Sequence, residues 1–248
     1  EKAAEILNEM GIVGFKIGSG ETDDLPMIEE VAKFGRPMIV STGMTDLNDI
    51  DVTVETIKSA GTPLALAHCM SIYAGQRAHQ LNYGVIPMLK DRYGVPVGLS
   101  DHTPPDPIES SSGIKVSHEA RIWAAVHGGA NFIEKHFTLD KNQPDADSRI
   151  SLNPDDLKNL ISIVETAQEA MAKERQVFEE EKPVVEWAKR SLVAAVDIPA
   201  GATIERQMIT SKRPATGIRS KDYKKVLGKR AKIFIPANTL LRWEQIEN

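Results

Sequence analysis

The chain has 248 residues, a formal net charge of -5, 41% hydrophobic and 26% charged residues. This length buries one large core, or one core plus a small module. The chain has no apolar stretch long enough to cross a membrane and no signal-peptide pattern at its start, so a soluble, cytoplasmic protein is expected. The acidic balance offers no basic face for nucleic acid, and the single cysteine, Cys69, excludes a disulfide framework and a multi-cysteine zinc site. Small buried packing is the expected role of that thiol.

In chain order, the opening EKAAEILNEMG reads as an amphipathic helix that ends an earlier strand-helix unit. About three such units are therefore expected to precede Glu1. Five apolar runs follow, each finishing in polar groups: FKIGSGE (15–21), MIVSTGM (38–44), LALAHCM (64–70), VGLSDHT (97–103) and FIEKHFT (132–138). Helices are expected between them, over 26–34 with a stop at Gly35 and over 47–60 with a stop at Gly61. The clearest helix starts after Asn153, with Pro154 at its first position, Asp155 and Asp156 at the positive dipole end, and Leu157, Leu160, Ile161 and Val164 on one stripe.

Strand alternating with helix predicts a parallel α/β sheet with right-handed crossovers. No G-x-G-x-x-G turn follows any run, and every run ends in candidate chemistry. Both facts favour a (β/α)8 TIM-type barrel, about five units of it present, over a doubly wound sheet. The barrel part is expected over residues 1–173, a charged Pro-containing linker over 174–190 and a small β-rich module over 191–248. In that module IPAGATIERQMI (198–209) and IPANTLLRWEQI (235–246) form an internal repeat, which suggests pseudo-symmetry.

The strand ends carry the candidate chemistry. His102 and His136 end neighbouring runs, where they either share a divalent cation or pack as hydrogen-bonded rim histidines. Lys16 lies on an otherwise apolar strand, a costly position unless an anion pairs with it; the alternative is a snorkelling strand-end lysine. Glu134, two residues before His136, shares its face of the strand. Ser19, Ser41 and Ser100 supply hydroxyls at successive strand ends, where a serine also serves as a turn or cap residue. His68 is expected to be structural, and His79, His118 and His127 to lie on the surface.

Taken together, FKIGSGE, VSTGM, HC..IY, GLSDHT, EKHFTLD and the C-terminal RSLVA...IPAG...KRP resemble the sialic acid synthase family, whose barrel is followed by an antifreeze-like (SAF) domain. The resemblance implies condensation of phosphoenolpyruvate (PEP) with an N-acylated hexose such as N-acetylmannosamine, giving a nine-carbon 2-keto acid and phosphate. It implies that His102 and His136 hold a manganese or magnesium ion and, with Glu134, form the catalytic set. Lys16, Ser19, Ser41 and Ser100 would hold PEP, while Glu21 and Glu134 would contact the sugar. Tyr73 would line the pocket or serve in packing, and Asp147, in QPDAD, aligns with an acidic loop position of the family. Ser71 stands where many members have asparagine, a departure that points to a different acceptor. Arg213, in Lys212-Arg213-Pro214, would reach the acceptor of a partner chain in a domain-exchanged homodimer. Synthases for legionaminic, pseudaminic or spore-coat sugars, a non-catalytic carbohydrate-binding protein and a metal-dependent aldolase remain alternative readings. With part of the barrel expected to lie outside these residues, little turnover is expected from them alone.

Overall fold

The computed structural model describes residues 2–73, 75–145, 147–172 and 174–247. The chain divides into two compact units, Glu1–Ala172 and Lys173–Asn248.

In the first unit, α1 (Lys2–Glu9) leads into β1 (Phe15–Ile17), α2 (Leu25–Ala32), β2 (Met38–Ser41), α3 (Leu47–Ser59), β3 (Leu64–Cys69), α4 (Val85–Tyr93) and β4 (Val97–Asp101). A short antiparallel hairpin, β5 (Ile108–Glu109) and β6 (Lys115–Val116), precedes α5 (His118–His127), β7 (Ile133–Lys135) and α6 (Pro154–Ala170). The helix starts follow from local chemistry. Asp24, Asp46, Ser117 and Asn153 each accept a backbone N–H in the first turn of the helix that follows. Asn153 and Asp156 complete a reciprocal capping box ahead of α6.

The five parallel strands pair in the order β1-β2-β3-β4-β7. Strand alternation sends Phe15, Ile17, Met38, Val40, Leu64, Leu66, Val97 and Leu99 toward the helices, where they form one core with Ile28, Val54, Ile57, Ile86 and Leu89. The opposite row carries Lys16, Ile39, Ser41, Ala67, Gly98, Ser100 and Glu134, polar or small apart from Ile39, in the register Lys16↔Ile39, Ser41↔Ala67, Ala67↔Gly98 and Ser100↔Glu134. β1 and β7 are the two edges of this sheet, yet Lys16 Nζ lies 3.1 Å from the Glu134 carboxylate. Four flat strand spacings of about 4.8 Å would hold them about 19 Å apart. The sheet therefore curls as the strands of a TIM-type barrel do, and its concave face carries the polar row.

In the second unit, α7 (Lys182–Ala188) lies within the segment expected to be a plain linker. β8 (Ser191–Ala194) pairs antiparallel with β9 (Ile209–Lys212). The internal repeat is structural. Ile198 and Ile235 exchange both backbone hydrogen bonds at 2.9 Å. The pairs Ile204/Leu241 and Ile209/Ile246 occupy equivalent buried positions. Gly201 and Asn238, at the same repeat position, both adopt the left-handed conformation at φ 78° and 63°. Glycine and asparagine tolerate that conformation best, which is why the two copies diverge there without losing the turn.

Candidate active site

The concave face of the first unit holds a cavity of about 420 Å³ at the carboxyl ends of the strands. Of the site residues expected from sequence, Lys16, Ser19, Glu21, Ser41, Ser71 and Tyr73 line it from the first three strand ends. Ser100, His102, Glu134 and His136 line it from β4, β7 and the residues just after them. Gly98 of the concave row gives room to the Phe132 ring, whose carbons would lie 2.5 Å from a Cβ there.

Lys16 and Glu134 form the ionic part of the wall. The Lys16 ammonium is 3.1 Å from both carboxylate oxygens, with side chains 35% and 43% exposed. Lys16 is thus half-open to the cavity rather than buried on its strand. Burial pushes the Glu134 carboxyl upward, but hydrogen bonds from Ser100 and Lys16 and the Lys16 charge outweigh it and hold the group below its ordinary value. Ser19 donates to Ser41 Oγ at 2.9 Å and accepts from the Gly43 N–H at 3.2 Å, so the hydroxyls form one connected edge.

The His102 and His136 rings lie 4.9 Å apart, centroid to centroid. Tyr73 stacks on His102 at 4.7 Å and meets His136 edge-on at 6.1 Å. The Nδ1 of His102 lies 3.7 Å from Cys69 Sγ, within hydrogen-bond reach of a sulfur, and that of His136 faces Asp147 Oδ2 at 3.6 Å, beyond hydrogen-bond length. Engagement of one ring nitrogen leaves the other for a ligand, the usual arrangement around metal-binding histidines. Among the described residues no three His, Cys, Asp or Glu side chains group as a complete metal cluster. Two imidazoles in contact, with His102 oriented through its Nδ1, fit a cation that keeps open positions for water and substrate. For His136, burial lowers the proton affinity ahead of the opposing Asp147 charge, which favours the neutral, ligating form.

Three residues enter the site that sequence reasoning missed or misread. Cys69 is buried, but it is more than packing: burial pushes its thiol up, while hydrogen bonds from His102, Ser19 and Ser71 and the His102 charge pull it down further, to about 6. The sequence signals only its place at the end of an apolar run; its pairing with Ser100 and its contact with His102 come from the fold. Gly43 is required by close approach, since a Cβ there would lie 2.6 Å from Ser19 Oγ and closer still to Ser71 Oγ. Met44, next to it, holds φ 62° at the cavity rim, a backbone strain of the kind found at binding sites.

None of the other histidines lines this cavity. His118 is buried at 6% exposure, not on the surface, because it opens α5 facing the Asp101–Lys135 side of the sheet. His79 and His127 are exposed. His68 is buried with Nε2 2.9 Å from the Leu81 carbonyl. Arg213 belongs to the second unit, where its Nε donates to the Ala188 carbonyl at 2.8 Å and its guanidinium lies 5.9 Å from the Trp187 ring centroid. Among the described residues no helix is long and apolar enough to cross a membrane.

Comparison with known proteins converges on one family. The NeuB family matches residues 1–176 and the SAF domain matches residues 189–247. The chain is 33% identical over 253 residues to N,N'-diacetyllegionaminic acid synthase of Legionella pneumophila, covering all of this chain and 67% of that protein. It is 31% identical over 251 residues to N-acetylneuraminate-9-phosphate synthase of Mus musculus, covering all of this chain and 66% of that one. The chain thus spans about two thirds of the length of these relatives. A spore coat polysaccharide biosynthesis protein E structure from Chromobacterium violaceum superposes over the whole chain, and over 71% of its own, with a TM-score of 0.82 at 24% identity, which shows the shared fold. The chain belongs to the NeuB family, the family of the sialic acid synthases, with a C-terminal SAF domain.

Proposed function

We propose that this protein is a PEP-dependent condensing synthase that joins PEP to an N-acylated hexose, giving a nonulosonate-type 2-keto acid and phosphate. The observation that carries this reading is the meeting, around one cavity, of the Lys16–Glu134 pair, the Ser19–Ser41 hydroxyl edge and the paired imidazoles of His102 and His136. A trianionic substrate needs an ammonium and fixed hydroxyl donors, and a polyhydroxylated acceptor needs an ionised carboxylate. The cavity offers both on opposite edges of one curled sheet.

His102 and His136 would hold a manganese or magnesium ion, which supplies Lewis-acid polarisation of the acceptor's aldehyde oxygen. Lys16, with Ser19, Ser41 and Ser100, anchors the phosphate and carboxylate of PEP and orients its methylene carbon. Glu134 and Glu21 accept hydrogen bonds from the sugar hydroxyls, and Tyr73 walls the cavity above His102. Carbon 3 of PEP bonds to the aldehyde carbon, whose oxygen takes a proton to become a hydroxyl. Water adds at carbon 2 and loses one proton; the tetrahedral species then collapses, the remaining hydroxyl proton passes to the phosphate, which departs with the electrons of the C2–O bond, and the keto group is left. Arg213 of a second copy, in a domain-exchanged homodimer, would contact the acyl group of the acceptor.

The named relatives are synthases of different products, N,N'-diacetyllegionaminic acid in one and N-acetylneuraminate 9-phosphate in another. Ser71, on the cavity wall between Tyr73 and Gly43, favours an acceptor other than N-acetylmannosamine. The test is phosphate release from PEP with Mn2+ by the full-length protein across a panel of N-acyl and di-N-acyl hexoses. Release that requires an N-acylated hexose supports the reading. Sugar binding without phosphate release, or pyruvate replacing PEP, overturns it in favour of a binding protein or an aldolase.

A further inference from the structure

We propose that Asp101 and Lys135 are positioning residues that fix the spacing of the His102 and His136 imidazoles. The inference rests on the reading that those two rings share a divalent cation, and it assigns a role to residues that never enter the cavity. Each histidine follows a buried charge of opposite sign: Asp101 precedes His102 and Lys135 precedes His136. The two charged residues are register partners, Asp101↔Lys135, at the last pairing of β4 with β7. Lys135 Nζ lies 3.2 Å from Asp101 Oδ2, with side chains only 3% and 2% exposed. Alternation puts this pair on the helix-facing side of the sheet and the histidines on the cavity side.

Beyond this last pairing the β4–β7 ladder gives way, so the histidines need another constraint. The ion pair supplies it. Asp101 Oδ1 accepts the Thr103 backbone N–H at 2.8 Å and Oδ2 accepts the Thr103 hydroxyl at 3.0 Å, which closes a turn around His102. Lys135 reaches across from the neighbouring strand and donates to the Thr103 carbonyl as well as to Asp101. On the far side, the His136 carbonyl accepts the Leu152 N–H at 2.8 Å. The wholly buried Arg121 continues the clamp by donating to the carbonyls of Pro104, Asp106 and Val116, in the segment that follows His102. A buried ion pair contributes little net stability compared with apolar residues of the same volume, whereas its geometry specifies one register. The charge pair is therefore best explained by the 4.9 Å spacing of the rings it backs.

The experiment compares the wild-type chain with the apolar double variant Asp101→Leu/Lys135→Met. It reads the thermal midpoint and Mn2+ affinity by electron paramagnetic resonance, with Mn2+ as the only probe. The expected result is a retained midpoint with Mn2+ affinity weakened about tenfold or more, the range typical of groups that orient metal ligands. A folded double variant with wild-type affinity overturns the proposal. If that variant does not fold, Thr103→Val, which removes one hydrogen bond and no charge, decides the matter. About threefold weaker binding at an unchanged midpoint is then expected, and unchanged binding overturns the proposal. A His102→Ala/His136→Ala control separates the two levels: if it binds Mn2+ as well as the wild type, the shared-cation reading itself falls, and the positioning role with it.

Discussion

Lys16 and Glu134 stand on the two edge strands of the five-stranded sheet and meet across its concave face at 3.1 Å. Their contact closes the space that a substrate anion would enter. On the proposed reading, PEP at Lys16 shares or breaks this pair, and the Ser100 hydrogen bond then helps keep the Glu134 carboxylate ionised for a neutral hydroxylated partner.

Lys16→Met should therefore abolish PEP use while sparing the fold. Phosphate release is expected to fall about a hundredfold, since one charge-assisted contact to a trianionic substrate is worth about 3 kcal/mol. The half-exposed pair contributes only about 0–1 kcal/mol to stability, so the thermal midpoint should stay within a few degrees. A parallel collapse of midpoint and activity would point to a structural role for the lysine.

His102→Ala and His136→Ala should each remove metal-dependent phosphate release, by about two orders of magnitude or more if polarisation of the aldehyde is worth several kcal/mol. Activity measured against Mn2+ concentration checks this. Undiminished turnover in both variants would refute a shared ion at the 4.9 Å ring pair.

Gly43→Ala should harm the site more than its single methyl suggests. The new Cβ would stand 2.6 Å from Ser19 Oγ and also collide with Ser71. The hydroxyl edge must therefore shift. About 1–3 kcal/mol of stability should be lost to overpacking, and KM for PEP should rise about tenfold or more in steady-state assays, with the helix content by circular dichroism unchanged.

Acid sensitivity should concentrate between α3 and α4. Hydrogen bonds from Arg92 and from Tyr93, the latter at 2.7 Å, hold the Asp51 carboxyl at about 2, below its ordinary 3.8. A depressed carboxyl stabilises the folded state above its unfolded pKa and loses that contribution as pH falls through the folded value. Asp51→Asn should thus lower the urea midpoint at pH 7, and the gap between variant and wild type should close as pH drops from about 4 to about 2. A gap that is constant with pH would contradict the assignment.

Much of this architecture is legible in the residues themselves. The five strand ends announce the polar rim because burial on both faces leaves only the last residues of each run open to chemistry. Asn153-Pro154 and Asp46-Leu47 announce α6 and α3 because capping is local. What escapes the sequence is contact at a distance. Nothing local says that Cys69 abuts His102, that Gly43 must yield space to Ser19 and Ser71, or that the Asp101 and Lys135 charges pair behind the sheet. His118 misleads for the same reason, since a histidine opening a helix looks solvated until the loop beneath it is folded. The helix α7 within the charged segment before β8 is likewise concealed by its run of glutamates.

The mutual bonding of Ile198 and Ile235 makes each copy of the C-terminal repeat the other's missing strand. The buried core draws Ile198, Ile204 and Ile209 from one copy and Ile235, Leu241 and Ile246 from the other. A nick in the stretch joining them should consequently leave two peptides that reassociate without a covalent tether, and either peptide alone should remain unfolded.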